Sequence, residues 1–159
     1  MFQNILVPID FSEDSYYALE HAIKLAEKFN STLFILHVNH DESLLFHYLN
    51  EEEYEEIRKR ALDEAKNQLE MLNKKFPQLK DIDHNYNVRR GVPYVEIIEE
   101  IESKPIDLVI IGSHGKTGAK KFFFGGTAEK VARRAKTNIM ITRRDDFEEN
   151  WGFLEVSWS

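Results

Sequence analysis

The chain has 159 residues and a formal net charge of −7, with 42% apolar and 31% charged residues, the size and balance of one soluble globular domain. It has no cysteine, which excludes disulfides, thiolate metal centres, iron–sulfur clusters and a cysteine nucleophile, and suits an intracellular protein. Its apolar runs are far too short to span a bilayer, and Met1 to Asn4 lack the basic stretch of a signal or transit peptide.

Phe2 to Ile9, centred on Ile5-Leu6-Val7, predicts a first strand buried on both faces and ended at Pro8. Asp10-Phe11-Ser12 then lead into a helix whose Ala18, Ala22, Leu25, Ala26 and Phe29 recur at spacings of three and four. Either Ser12 or Asp10 can cap it, with Glu13 and Asp14 favourable in its first turn. Thr32–Val38 reads as a second buried strand and Asn39–Asn50 as a polar loop or short helix. From Glu51 to about Phe76 a long charged helix carries an apolar stripe of Tyr54, Ile57, Ala61, Ala65, Leu69 and Leu72. A weaker third strand spans Ile82 to Val88, followed by the Gly91-Val92-Pro93 turn and a short helix through Val95, Ile98 and Ile101. On that helix Glu96, Glu99, Glu100 and Glu102 read as a solvated face. Ile106 to Ile111 is the fourth strand, Thr127 to Ala135 a helix after a glycine-rich connection, and Ile139–Thr142 the fifth strand. Strands alternating with helices imply right-handed crossovers and a parallel sheet in one doubly wound α/β domain. Asp145 to Ser159 form an acidic tail with Phe147, Trp151, Phe153 and Trp158, a composition suited to docking on the domain or on a partner.

Charge is unevenly spread. Between Gly112 and Arg144 nine basic residues face a single acid, Glu129, a local charge of +8 that leaves −15 for the remainder. The same stretch holds Gly112, Gly115, Gly118, Gly125 and Gly126, five of the seven glycines. In open α/β sheets ligands lie beyond the carboxyl ends of the strands where strand order reverses. A loop without Cβ atoms there, followed by a helix N-terminus, lets backbone N–H groups approach phosphate oxygens, and Lys116, Lys120 and Lys121 add neutralising charge. Lys130, Arg133, Arg134 and Lys136 fit the outer face and end of the following helix instead. Two other phosphate motifs fail: Gly115-Lys116-Thr117 would need a glycine at 110, where Ile110 stands, and no dinucleotide glycines follow strand one. A phosphorylation receiver would need paired acids after strand one and an Asp after strand three, where Arg89-Arg90 stand. The six histidines show no metal-ligand spacing.

Asp10 directly after strand one, the helix opening Phe11-Ser12-Glu13, Gly91-x-Pro93 before a short helix, and Ile110-Ile111-Gly112-Ser113-His114-Gly115 with Gly125-x-Thr127-Ala128-Glu129-Lys130-Val131 together resemble the universal stress protein family. The resemblance covers about residues 2 to 142, and the spacing of Gly112, Gly115 and Gly125 is that of the ATP-binding branch. It implies a domain over 1–142 with a five-stranded parallel sheet in the order 3-2-1-4-5 and helices on both faces, of the adenine nucleotide alpha hydrolase-like type, then a tail over 143–159. It further implies that the Asp10 carboxylate and the Val38 main chain meet adenine. Gly112, Ser113, His114, Gly115, Lys116, Gly125, Gly126 and Thr127 would form the phosphate and ribose loop, with Mg²⁺ or Mn²⁺ accompanying ATP.

By the same resemblance the protein is a cytoplasmic, nucleotide-responsive homodimer assembled through Ile139, Met140 and Ile141 of its last strand, binding neither nucleic acid nor membrane. Slow ATP hydrolysis, nucleotidyl transfer, or a partner-binding dimer with an empty pocket are the alternatives. No carboxylate stands out in the sequence as a water activator beside the phosphates. One departure concerns Gly126, which replaces the Ser or Thr that follows the family's last glycine. The missing hydroxyl weakens binding by about 1 kcal/mol.

Overall fold

Ile5, Leu6 and Val7 have no polar side to turn to water, and the chain buries them at the middle of its sheet. The computed structural model describes residues 1–40, 44, 47–114 and 125–144. Within them five strands, β1 (Asn4–Pro8), β2 (Thr32–His40), β3 (His84–Gly91), β4 (Leu108–Gly112) and β5 (Asn138–Thr142), pair in the order β3-β2-β1-β4-β5, all parallel. This is the expected 3-2-1-4-5 order. Helices α1 (Glu13–Phe29), α2 (Glu51–Lys75), α3 (Pro93–Ser103) and α4 (Gly126–Arg134) form the connections, with a short 3-10 helix at Pro77–Asp81.

Alternation along each strand sorts the core into two layers. Ile5, Val7, Leu33, Ile35 and Ile110 pack against Ala18, Leu19, Ala22 and Ala26 of α1 and Leu69 and Leu72 of α2. Leu6, Leu36, Val109 and Ile111 face Ile97 and Ile101 of α3 and Ala128 and Val131 of α4. Helices before and after β3 therefore lie on opposite faces, and the chain reverses direction across the sheet at the β1–β4 pair. In open α/β sheets such a reversal marks the carboxyl-edge position where ligands bind.

Ser12 is the cap of α1, accepting the Ser15 N–H, while Asn30 ends the helix in the left-handed conformation. Asp10 supports that cap: one of its carboxylate oxygens accepts both the N–H and the hydroxyl of Ser12. Asn50 and Glu53 close a capping box on α2.

Three expectations change. The stripe on α2 is buried at Tyr54, Ala65, Leu69 and Leu72, but Ile57 and Ala61 are exposed. The first half of the helix stands off the sheet over a cavity of about 770 Å³ bounded below by Asn39, Val88, Arg89 and Arg90. Strand β3 runs on to Gly91, past the expected end at Val88, because partners hold its two arginines: Glu96, Glu99 and Glu100 hold Arg89, and Tyr54 holds Arg90.

The third change is Glu100, expected in solvent and found 1% exposed. It sits between Ile97 and Ile101 on the inward face of α3 and accepts from Asn87, Arg89 and Lys104. Burial raises its carboxyl pKa, and these hydrogen bonds from Lys104, Asn87 and Arg89 outweigh that and hold it below the ordinary glutamate value.

Candidate functional site

The expected site residues divide by strand. Asp10 follows β1, and Phe11 takes a left-handed conformation, φ 63°, uncommon for an aromatic residue. This bend turns the chain from β1 into α1. The Phe11 ring lies against His37, centroids 4.7 Å apart. His37 donates its Nδ1–H to the Ile9 carbonyl at 2.7 Å, and its Nε2 lies 3.1 Å from Asn39 Oδ1. The ends of β1 and β2 are thus tied by a side chain.

The β1–β2 ladder closes at Pro8–Leu36, with the Ile9 N–H donating to Leu36. Val38 therefore lies two residues beyond its strand's last β1 partner, while its other edge still pairs with Arg89. Asp10 thus follows the end of β1 while Val38 runs past that end on the neighbouring strand; a carboxylate acceptor and a main-chain group are the partners that a purine edge can use.

Gly112 ends β4, beside Thr142 of β5. A Cβ at Gly112 would stand 2.7 Å from the backbone oxygen of Asp14. Only glycine lets the first turn of α1 cross the end of β4, so this residue has a structural reason besides any ligand. Ser113, 1% exposed, is the root of the loop. Its N–H donates to the Thr142 carbonyl and its carbonyl accepts from the Gly125 N–H.

That second bond closes the loop and delivers the start of α4 to the end of β4. Gly125 is the N-cap residue of α4, and among the described residues no side chain caps this helix; Val92 gives α3 none either, whereas Ser12 caps α1 and Asn50 caps α2. The amides of Gly126 and Thr127 in its first turn and the positive end of the helix dipole suit an anion. Gly115 and Lys116, together with Lys120 and Lys121, lie outside the described residues, as do residues 145–159 of the tail.

Sequence reasoning missed Asp14 and Arg144. Asp14 was a favourable first-turn acid and Arg144 one of nine basic residues. In the structure one Asp14 oxygen accepts from Arg144 Nε and the other lies 3.6 Å from His114 Nδ1. His114 Nδ1 is 2.9 Å from Ser113 Oγ. A carboxylate therefore stands at the loop root, held there by Arg144. The only sequence signal was Asp14's position one turn above a strand-end glycine, which has no meaning until β4 lies beside α1. Beside them the Thr142 hydroxyl is buried with no hydrogen-bond partner among the described residues.

The 770 Å³ cavity under α2 includes none of the ten expected residues, adjoining Val38 only through Asn39. Its floor and walls mix Glu52, Glu55 and Glu56 with Arg58, Lys59, Arg89 and Arg90, so neither sign of charge dominates it. The outer basic residues behave as expected: Lys130 and Arg134 lie over the Tyr94 ring and Arg133 pairs with Glu129. Among the described residues no group of three His, Asp or Glu side chains is placed to hold a metal ion, and no helix is long and apolar enough to cross a membrane.

Comparison with known proteins gives the same picture. Universal stress protein MJ0577 of Methanocaldococcus jannaschii is 29% identical, with 91% of this chain and 96% of the relative aligned. Universal stress protein YxiE of Bacillus subtilis is 30% identical over 90% of this chain and all of its own length. The solved structure of MJ0577 superposes with a TM-score of 0.80, covering 92% of this chain and 99% of that one. A sheet in this order, a loop closed from Ser113 to Gly125 and a match of residues 1–143 to the model of the universal stress protein family converge on one conclusion: the chain belongs to the universal stress protein family.

Proposed function

We propose that this protein binds ATP at the carboxyl edge of its sheet and works as a nucleotide-responsive, homodimeric stress-response module in the cytoplasm. Adenine lies between Asp10 and the main chain of Val38, and the phosphates rest on Gly112, Ser113, His114, Gly115, Lys116, Gly125, Gly126 and Thr127. The observation that carries this reading is the Ser113–Gly125 bond, which brings a helix N-terminus without a side-chain cap to the strand-order reversal. Two proteins of the same fold have been solved with adenine nucleotides: a universal stress protein in complex with cAMP (21% identical, TM-score 0.57) and one from Arabidopsis thaliana with AMP bound (15%, 0.63).

Mg²⁺ or Mn²⁺ would neutralise phosphate oxygens, and the chain's own part is to hold the base and cradle the anion with backbone amides. Ile139, Met140 and Ile141 are half-buried on β5, which among the described residues is an edge strand paired with β4 alone, and this supports dimer formation there. In this reading 1–142 form the binding domain and 143–159 its tail.

Calorimetric titration with ATP tests the site. Wild type is expected to bind saturably below about millimolar concentration, and Gly115→Val and Asp10→Ala to bind much more weakly. Normal binding by both variants, or none by wild type, refutes it. Phosphate release followed over many turnovers, lost in Gly115→Val, would establish the hydrolase alternative.

A further inference from the structure

We propose that Asp14 and Arg144 form a charge-setting pair that decides how much negative charge the loop accepts, making them specificity residues for the phosphate end of the nucleotide. The inference rests on the nucleotide reading and goes beyond it, because neither residue belongs to the glycine loop or the adenine contacts.

Position is the first argument. The Asp14 backbone sits directly over Gly112, so closely that a Cβ there would collide with it. Its carboxylate, 14% exposed, is turned to the loop root instead of to solvent, with His114 Nδ1 at 3.6 Å. Helix capping does not account for this placement, since Ser12 already caps α1.

The second argument is compensation. A carboxylate beside an anion-binding loop repels the anion, and low exposure weakens the screening of that repulsion. Arg144, two residues past β5, reaches back across 130 positions of sequence to place its Nε on the same carboxylate. Its guanidinium is therefore held at the loop root rather than left in solvent. Each phosphate added to a bound nucleoside meets both charges, so the two residues act on affinity with opposite sign and in proportion to the ligand's charge. Asp14 limits the response and Arg144 sustains it.

A pair that merely latched β5 to α1 would behave differently: loss of either partner would weaken every ligand alike. The opposite signs make the proposal testable. Asp14→Asn, Arg144→Gln, the double variant and Arg144→Lys are titrated calorimetrically with adenosine, AMP and ATP in EDTA, at low and high salt, and ATP is repeated with Mg²⁺. Melting curves establish that each variant is folded.

Asp14→Asn is expected to tighten ATP about fivefold and AMP less, and Arg144→Gln to weaken ATP about tenfold, the order of effect of a half-buried charge near an anion. Adenosine affinity should stay unchanged in both, the double variant should return near wild type, and Arg144→Lys should keep ATP affinity within about twofold. High salt should shrink the differences. Weaker ATP binding by both single variants, an equal effect on adenosine, or weakening of ATP by Asp14→Asn only when Mg²⁺ is present would overturn the assignment, the last by making Asp14 a metal ligand. Wild type that binds adenosine and ATP while the ratio ignores both substitutions refutes the pair alone. Wild type that binds none of the three refutes the nucleotide reading and the pair with it.

Discussion

Replacing Gly126 by serine supplies the hydroxyl that the family pattern carries after its last glycine, at a position whose surroundings can be inspected in advance. Gly126 is the first residue of α4 and exposed. A Cβ built there meets nothing within 4 Å, so serine enters without a clash. Serine is also the better helix former, by about 0.5 kcal/mol, and the substitution should raise stability slightly even without ligand.

The larger effect is on binding. A hydroxyl donating to a phosphate oxygen is a hydrogen bond to a charged group, and after desolvation contributes about 1 kcal/mol, a roughly fivefold lower Kd for ATP. Gly126→Ala separates the two contributions, since it changes the backbone and adds no donor. Calorimetry with ATP should show serine about fivefold tighter than wild type and alanine within about twofold of it. Equal affinities for serine and alanine, or weaker binding by serine, would show that the start of α4 does not face the phosphates.

Gly112→Ala should cost about 1–3 kcal/mol through the clash with the Asp14 backbone, read as a lower Tm without any nucleotide. An unchanged Tm would mean that α1 does not cross β4 so closely. Glu100→Ala leaves Arg89 and Asn87 short of a buried partner and should lose about 3 kcal/mol in urea unfolding. Because the Glu100 carboxyl is held below its ordinary value, its stabilisation is present above about pH 4.3 and is lost as pH falls through the lowered folded value. Glu100→Gln cannot titrate, so its stability should fall less steeply below that pH, and an unaltered acid slope would contradict the assignment. Asn50→Ala removes the side-chain half of the capping box, the acceptor for the Glu53 N–H, and leaves the residue-50 N–H to Glu53; it should cost about 1 kcal/mol, or roughly 3 °C of Tm. No shift would show that the first turns of α2 unfold separately from the domain.

Much of the fold was legible because the burial pattern is continuous. Ile5-Leu6-Val7 and Leu108 to Ile111 are apolar on both faces, which only a central parallel strand satisfies, and the break at Asn30 falls between α1 and β2. Where periodicity misled, a charged side chain took a core position or a helix left the sheet. Glu100 was hidden because a carboxylate is read as exposed until its three partners, two on β3 and Lys104 just past α3, are known. Ile57 and Ala61 kept the spacing of a buried stripe on a stretch of α2 that a cavity separates from β2 and β3.

The candidate site shows the same division. Glycine spacing, the acid after β1 and the positive charge of the 112–144 stretch are local properties, visible as letters, and they were enough to imply an anion loop and a family. Tertiary structure alone decided which side chains surround that loop. Asp14 and Arg144 are 130 positions apart and meet because α1 crosses the end of β4 next to β5. His37 braces the carbonyl of Ile9 because parallel pairing sets β2 beside β1. Backbone conformation and burial follow from neighbours in sequence, whereas the charge balance of a site is the sum over chains that only packing brings together.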